Sequence, residues 1–178
     1  MLASVFDAQT VEFFPQGGQA AVPLHLLVVD PEPAVRRVLD NLRESLSASG
    51  AEVVIGALPK VAVREVHLIQ LFQNLIGNAL KFRHPDRIPR VEISAARDQG
   101  FHVFSVADNG IGFDPRHATK IFDIFRRLHS AEEYPGSGMG LAICARIVSS
   151  HGGRIWTEAS PGMGATFRFS LPIQDGDA

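Results

Sequence analysis

The stretch Gln73-Asn74-Leu75-Ile76-Gly77-Asn78-Ala79-Leu80-Lys81-Phe82 ends the most regular apolar pattern in this chain. From Glu65 onward, apolar residues recur every three or four positions, which predicts a helix over 65–82 with one face on a core. That face is expected to hold Leu68, Phe72, Leu75, Ile76 and Ala79. A second stripe of the same helix is polar and holds Gln70, Asn74, Gly77, Asn78 and Lys81, with Phe82 at its border. The fold is therefore expected to present a polar row beside its core.

This polar row has the composition of a site for a metal-bound phosphate. Asparagine supplies a neutral oxygen that suits a hard cation such as Mg²⁺, which keeps most of its water and is also held by substrate phosphates. Lys81 adds a point charge for phosphate. Asparagine and lysine on their own are more often residues of a solvated helix face. The choice between the two interpretations depends on two further segments.

A strand end and a glycine-rich turn supply those segments. Residues 103–107 alternate like a strand and lead into Asp108-Asn109-Gly110-Ile111-Gly112, where a carboxylate could accept a hydrogen bond from the amine of a base. An ordinary Asn-Gly turn is the alternative there. Gly136-Ser137-Gly138-Met139-Gly140-Leu141 opens another predicted helix, whose free N–H groups and positive dipole end favour anions. Three such elements in this order indicate a nucleotide site.

The composition fits one globular domain and excludes several classes of function. The 178 residues are 46% apolar and 20% charged, which is enough for a sizeable core. Seventeen basic and nineteen acidic side chains give a net charge of −2, so we expect no nucleic-acid partner and no membrane contact. One cysteine excludes an intrachain disulfide. No apolar run reaches the roughly 20 residues of a membrane span, and the first residues are unlike a secretory signal, so we expect a cytoplasmic protein.

The rest of the sequence predicts an α/β fold. Further helices are expected over 34–49 and 139–150, and strands over 52–55, 91–95, 101–107, 154–158 and 166–171. Helices that alternate with hairpin-like strands favour a two-layer α/β sandwich with a mixed sheet. We expect a partly irregular lead-in over 1–33 with one strand-like piece, a single domain over 34–173 and a short tail over 174–178.

Together these segments resemble the ATP-binding domain of sensor histidine kinases, within the superfamily of gyrase, chaperone, kinase and mismatch-repair ATPases. The resemblance runs from about Val35 to Pro172. It rests on an N box at 73–82, a first glycine box at Asp108-x-Gly110-x-Gly112, an F box at 121–129, a second glycine box at 136–141 and a final box at 162–167. The wording of the N and F boxes is closest to phytochrome-like bacterial sensor kinases. The resemblance implies a Bergerat-type fold, in which helices cover one face of a mixed sheet and a long lid closes over ATP.

For the phosphates, the resemblance implies a role for each matched position. Asn78 is expected to bind the Mg²⁺ ion, with Asn74 nearby, and Lys81 to contact phosphate. Arg127, in a lid over 113–135, is expected to reach phosphate. The second glycine box contributes Gly136, Gly138, Gly140 and Leu141 to the nucleotide site, its glycines as backbone donors. Asn78, Lys81 and Arg127 are therefore the candidate catalytic residues.

For the base, the resemblance implies a pocket at the other end of the site. Phe82 is expected to pack on adenine, and Asp108 to accept a hydrogen bond from the adenine amine. Gly110 and Gly112 are expected to leave room for the nucleotide, and Thr166 to complete the base pocket. ATP and Mg²⁺ are the ligands that this set of residues implies.

The activity implied by the resemblance is transfer of the γ-phosphoryl group of ATP to a protein histidine. In the hydrolysing branches of the superfamily, the position of Asn74 holds a glutamate that activates water, whereas an amide takes no proton at neutral pH. None of the seven histidines is followed by an acidic residue, so we expect the acceptor on a separate dimerisation domain and a response regulator downstream. Two alternatives stay open: an ATP-binding regulatory module without phosphotransfer, and a serine kinase of the anti-sigma-factor type.

Overall fold

The computed structural model of the chain describes residues 28–123 and 138–173, and within these ranges it contains four α-helices and seven strands. The helices are α1 (Pro31–Asn41), α2 (Arg43–Ser49), α3 (Glu65–Lys81) and α4 (Gly140–Ser150). The strands are β1 (Val28–Val29), β2 (Glu52–Ile55), β3 (Val61–Ala62), β4 (Arg90–Asp98), β5 (Phe101–Asp108), β6 (Ile155–Ser160) and β7 (Gly164–Pro172). Two short 3₁₀ turns, Pro115–His117 and Lys120–Phe122, follow β5.

Five of the strands form one mixed sheet in the order β2-β4-β5-β7-β6. The pair β2 and β4 is parallel, and the other three pairs are antiparallel. The β4–β5 hairpin turns through Gln99 and Gly100, which both have positive φ, as a two-residue type I′ turn requires. The short strands β1 and β3 form a separate antiparallel pair. The predicted mixed sheet is therefore confirmed.

The helices cover one face of this sheet and form the core with it. Along β5 the buried residues alternate, as expected for a strand with one face on a core. Phe72 of α3 packs edge-on against Phe104 of β5 and Phe169 of β7, at ring-centroid distances of 6.4 and 5.9 Å. The rings of Phe104 and Phe169 are stacked 5.0 Å apart. The predicted core face of α3 is buried, and the fold is the expected two-layer α/β sandwich.

The first helical region differs from its prediction in where it starts and in its continuity. Instead of one helix over 34–49, α1 begins at Pro31 and the chain leaves helical geometry at Leu42. Asp30 caps α1 by accepting a hydrogen bond from the Glu32 N–H group at 2.9 Å, and a proline is well suited to the first helical turn. Residues 30–33, expected in the irregular part of the lead-in, thus cap and begin α1.

The other predicted elements are present with boundaries shifted by a few residues. Gly50 ends α2 in the left-handed conformation that is common for a glycine after a helix. Of the strand-like piece expected over 24–29, only the part in β1 lies inside the described residues. Of the expected lid, 113–123 is described and the rest lies outside. Among the described helices, none is long and apolar enough to cross a membrane.

Candidate functional site

The polar row of α3 lies at the border of the core. Asn74, Asn78, Lys81 and Phe82 are half-buried, while the neighbouring apolar positions of the same helix are buried. The Asn74 side chain donates to the backbone oxygen of Gln70 at 2.8 Å, so its amide is held along its own helix. The Lys81 ammonium nitrogen lies 4.7 Å from the centroid of the Phe82 ring, within the range of a cation–π contact. The last two turns of α3 thus carry amide oxygens, a cation and an aromatic ring side by side.

The start of α4 packs directly on this row. A Cβ atom at Gly140 would lie 2.5 Å from Asn74 Oδ1, so a larger residue at this position would displace the Asn74 side chain. Met139 precedes the helix without capping it through its side chain, and the first-turn N–H groups of a helix have no partners within the helix. The positive end of the α4 dipole is therefore directed to the region beside Asn74.

Cys144, one turn further along α4, is buried against the same asparagine. Burial raises the pKa of its thiol to about 12, although a hydrogen bond with Asn74 opposes that shift. The thiol is thus protonated at neutral pH, and Cys144 is a small core residue of an apolar helix.

Asp108 ends β5 with its carboxylate held in a fixed orientation. Its Oδ1 atom accepts hydrogen bonds from the Gly110 N–H group at 2.9 Å and from the Ala165 N–H group at 3.2 Å. Burial raises the pKa of this carboxyl above its ordinary value, and the two backbone hydrogen bonds oppose the rise. Within residues 28–123 and 138–173, both hydrogen bonds to the carboxylate go to Oδ1, and they fix the orientation of the group.

The glycines around Asp108 allow main chain to pack on main chain. A Cβ atom at Gly110 would collide with the backbone oxygen of Phe82, and one at Gly112 with that of Ser160. Gly164, at φ +90°, faces the backbone oxygen of Asp108 in the same way. Gly110 and Gly112 are thus required for the packing of main chain on main chain, and the expected room for a nucleotide beside them stays a prediction.

Thr166 lies on β7 opposite Ala107, one residue after the Ala165 N–H group that contacts Asp108. Its side chain is half-buried, and its backbone oxygen accepts a hydrogen bond from the Thr157 hydroxyl at 3.0 Å. The structure thus brings Thr166 to the same end of the sheet as Asp108.

The structure therefore connects α3, the loop after β5, the start of α4 and the start of β7 at one end of the sheet. The contacts that join them are Gly140 with Asn74, Gly110 with Phe82, and Asp108 with Ala165. Leu141 is half-buried against the core, and Gly138 has a φ of +72°. Arg127 and Gly136, also expected at the site, lie outside the described residues.

This arrangement matches a known family. Residues 63–175 match the family model described as histidine kinase-, DNA gyrase B-, and HSP90-like ATPase. The chain belongs to this ATPase family. Within the family it resembles the sensor kinases, because it is 47% identical over 148 residues to the phytochrome-like protein Cph1 of Synechocystis, a match that covers 83% of this chain and 20% of that protein.

Solved structures share the fold of this histidine-kinase-like ATPase. Full-length ShkA in complex with AMPPNP superposes with a TM-score of 0.73 and 32% identity, over 89% of this chain and 33% of that one. The mycobacterial sensor histidine kinase MprB gives a TM-score of 0.70 and 28% identity, over 81% of this chain and 95% of that one. The chain spans about a fifth of the length of Cph1, and its fold is that of a sensor histidine kinase catalytic domain.

The side chains of this ATPase domain fit a Mg²⁺ ion whose ligands come partly from the protein and partly from water and substrate phosphates. Among the described residues there is no cluster of three or more histidine, cysteine or acidic side chains that could enclose a metal ion. Asn78 offers one neutral amide oxygen on the polar row of α3. Because Mg²⁺ keeps several waters and takes oxygens from substrate phosphates, a single protein amide is a suitable partner for it.

Sequence reasoning missed two residues that hold the loops of this site in place. The sequence indicates Asn109 only as part of the alternative Asn-Gly turn, but its side chain bonds to the backbone of Ile88 and Arg90. Arg87 donates to the backbone oxygen of Gly162, which is 75 positions away in the sequence. The Asp-Asn-Gly motif was a signal for the first residue, whereas no local pattern indicated the second.

Proposed function

We propose that this chain binds ATP together with Mg²⁺ and transfers the γ-phosphoryl group to a histidine on a separate dimerisation domain, from which a response regulator receives it. The observation that supports the proposal most is the orientation of Asp108. Backbone N–H groups of Gly110 and Ala165 hold Oδ1, and Oδ2 would accept a hydrogen bond from the amine of adenine. The proposal includes a cytoplasmic location, since the reaction consumes ATP.

The base and the phosphates would occupy opposite ends of one cleft. Phe82, beside Asp108 through the contact with Gly110, would pack on adenine, and Thr166 would line the same end. Asn78 and Lys81 would face the phosphates from α3, and the first turn of α4 would face them from the other side. Arg127, Gly136, Gly138 and Leu141 would complete the phosphate end, as the family resemblance implies.

Phosphoryl transfer requires positioning and charge neutralisation more than covalent participation by the protein. Bound Mg²⁺ would offset negative charge on the phosphate oxygens, and Asn78 would help to hold it. Lys81 would add a positive charge near the same oxygens. Asn74 carries an amide that takes no proton at neutral pH, so this position offers no base to activate water, which supports transfer over hydrolysis.

The Asp108→Asn variant tests the base contact. In the variant, the two backbone N–H groups still need an oxygen, so the side-chain NH₂ would take the place of Oδ2 and oppose the adenine amine. We expect the affinity for ATP to fall about tenfold or more, the scale of a hydrogen bond to a charged group. Isothermal titration calorimetry with and without Mg²⁺ measures it, and Asp98→Asn, at the exposed β4–β5 turn, is the matched control. Unaltered affinity in Asp108→Asn would contradict the proposed site.

A phosphotransfer assay separates the proposed activity from its alternatives. The chain is mixed with γ-labelled ATP and the histidine-bearing dimerisation domain of a related kinase, and acid-labile label on that histidine is the expected result. Binding of ATP without any transfer would favour a regulatory module. Acid-stable label on a partner serine would favour a kinase of the anti-sigma-factor type.

A further inference from the structure

The connection between α3 and β4, residues 82–89, is bonded together with the first residue of β4 to the loop that follows Asp108. The Ile111 N–H group donates to the backbone oxygen of Phe82 at 2.9 Å. The Asn109 side chain donates to the backbone oxygen of Ile88 at 2.9 Å and accepts from the Arg90 N–H group at 2.8 Å. Asn109 and Ile111, on either side of Gly110, are thus held by one connection, immediately after the carboxylate proposed to contact the base.

The same connection is also bonded to the β6–β7 hairpin. The Arg87 guanidinium donates to the backbone oxygen of Gly162 at 2.9 Å, and the Gly162 N–H group donates to the backbone oxygen of Ile111 at 2.7 Å. This hairpin leads into β7, where the Ala165 N–H group donates to Asp108 Oδ1. Arg87 therefore restrains one of the two segments whose backbone orients the carboxylate.

Both side chains are placed to order loops rather than to support the core. Arg87 is exposed, Asn109 is half-buried, and neither belongs to the buried apolar cluster. Hydrogen bonds at such positions contribute little net stability to a fold, but each restricts the freedom of a segment without regular structure. Their removal should therefore disturb the position of Asp108 more than the stability of the domain.

We propose that Arg87 and Asn109 are positioning residues for base recognition: they hold the two loops that fix the orientation of the Asp108 carboxylate. The inference rests on the proposed function, because it assumes that Asp108 contacts the amine of adenine. Neither residue is proposed to touch the nucleotide. Their effect is expected to pass entirely through Asp108, which gives a readout that a purely structural role would not move.

That readout is discrimination between ATP and purine riboside 5′-triphosphate, which lacks the amine. We expect the wild-type chain to bind ATP more tightly than the analogue. In Arg87→Met and Asn109→Ala the preference for ATP should shrink about threefold or more, the scale of one lost hydrogen bond. Calorimetry of both nucleotides with Mg²⁺ measures it, at a temperature where circular dichroism shows each variant folded.

Two further variants make the result specific. Arg87→Lys keeps a donor for the Gly162 oxygen and should recover part of the preference for ATP. The control Arg43→Met removes an exposed arginine whose partner is Asp40, far from the site in sequence, and should show the full wild-type preference for ATP. If Asn109→Ala fails to fold, the comparison of Arg87→Met with Arg87→Lys still decides. An undiminished preference in Arg87→Met would overturn the inference alone. A wild-type chain that binds no ATP would overturn the proposed function and the inference with it.

Discussion

Gly110 and Gly77 differ in what an added side chain would meet, although both lie near the proposed nucleotide site. A Cβ atom at Gly110 would collide with the Phe82 backbone oxygen and lie 2.9 Å from Asp108 Oδ1, whereas one at Gly77 would meet nothing within 4 Å. Gly77 also lies inside α3, where glycine is a poor helix former. The two glycines should therefore respond to substitution with opposite sign.

We expect Gly110→Ala to lower the free energy of unfolding by about 1–3 kcal/mol, because main chain must shift to admit the methyl group. Gly77→Ala should raise it by about 0.5–1 kcal/mol through helix propensity. Urea denaturation of both variants beside the wild type measures the two effects. Equal stability of Gly110→Ala and the wild type would show that the Phe82 and Gly110 backbones do not approach as described.

At the residue scale, the sequence predicts which side chains carry the chemistry of the site better than it predicts the steric reason for a glycine. Asp108 and the polar row of α3 could be found because each belongs to a short local motif. The steric reason for glycine at position 110 could not be predicted, because it depends on the Phe82 carbonyl oxygen, which lies near Gly110 only in the folded chain. Arg87 left no signal at all, since its partner Gly162 lies in a hairpin formed by a distant part of the chain.

At the scale of elements, α3 and α4 run antiparallel and are joined at both ends of their contact. Near the proposed site Gly140 meets Asn74, and at the far end His67 Nδ1 and His151 Nε2 lie 2.8 Å apart. Burial lowers the pKa of both imidazoles, with a further contribution from Arg64, and for His151 also from His67. One ring donates and the other accepts when both are neutral, so the pair is suited to neutral pH.

This pair predicts a loss of stability on acidification. The folded pKa values lie below the ordinary value of 6.5, so the unfolded chain binds protons first as the pH falls. The contribution of the pair to the free energy of unfolding is fully present above pH 6.5 and is lost as the pH falls through the folded pKa values. Urea midpoints at about pH 7.5 and about pH 5.5 should therefore differ, with the lower midpoint in acid.

His67→Gln isolates the contribution of the pair to this pH dependence. It removes one titrating ring and its repulsion of protonated His151, so the difference between the two midpoints should narrow. His117→Gln, in the first 3₁₀ turn, leaves the pair intact and should retain the wild-type difference. An equal narrowing in both variants would assign the pH dependence to something other than the pair.

Element boundaries were predictable where the apolar periodicity was regular, as for α3 and the strands of the β4–β5 hairpin. They were not predictable at the start of α1, where two prolines suggested an irregular lead-in. Once Asp30 accepts from the Glu32 N–H group, the proline at 31 is part of the first helical turn. The interruption at Leu42 was missed because apolar residues continue in helical register on both sides of it.

For the whole molecule, the proposed site is distributed over elements that also build the core. The α3 helix contributes Phe72 to the aromatic centre of the core and Asn78 and Lys81 to the site, while β5 contributes Phe104 and Asp108. A ligand that contacts both elements therefore binds only when the core is assembled. Nucleotide binding should consequently stabilise the domain as a unit.

We expect ATP with Mg²⁺ to shift the entire thermal unfolding transition upward. Ligand at about 100 times its Kd adds about 2.7 kcal/mol to the free energy of unfolding. Calorimetric scans with ATP and Mg²⁺, and with ATP and a chelator, measure the shift, which should be larger with the metal. A transition that splits in two, with only one part moved by ligand, would contradict a site built across the core.

The burial of Cys144 has a practical consequence for following motion in this chain. Its thiol has a pKa of about 12 and is the sole sulfhydryl in the sequence, so maleimide reagents find no native thiolate in the folded state near neutral pH. A reporter cysteine introduced on α2, which buries no side chain, for example Ser47→Cys, could then carry a fluorophore or spin label by itself. The native cysteine thus does not have to be replaced by mutagenesis before such labelling.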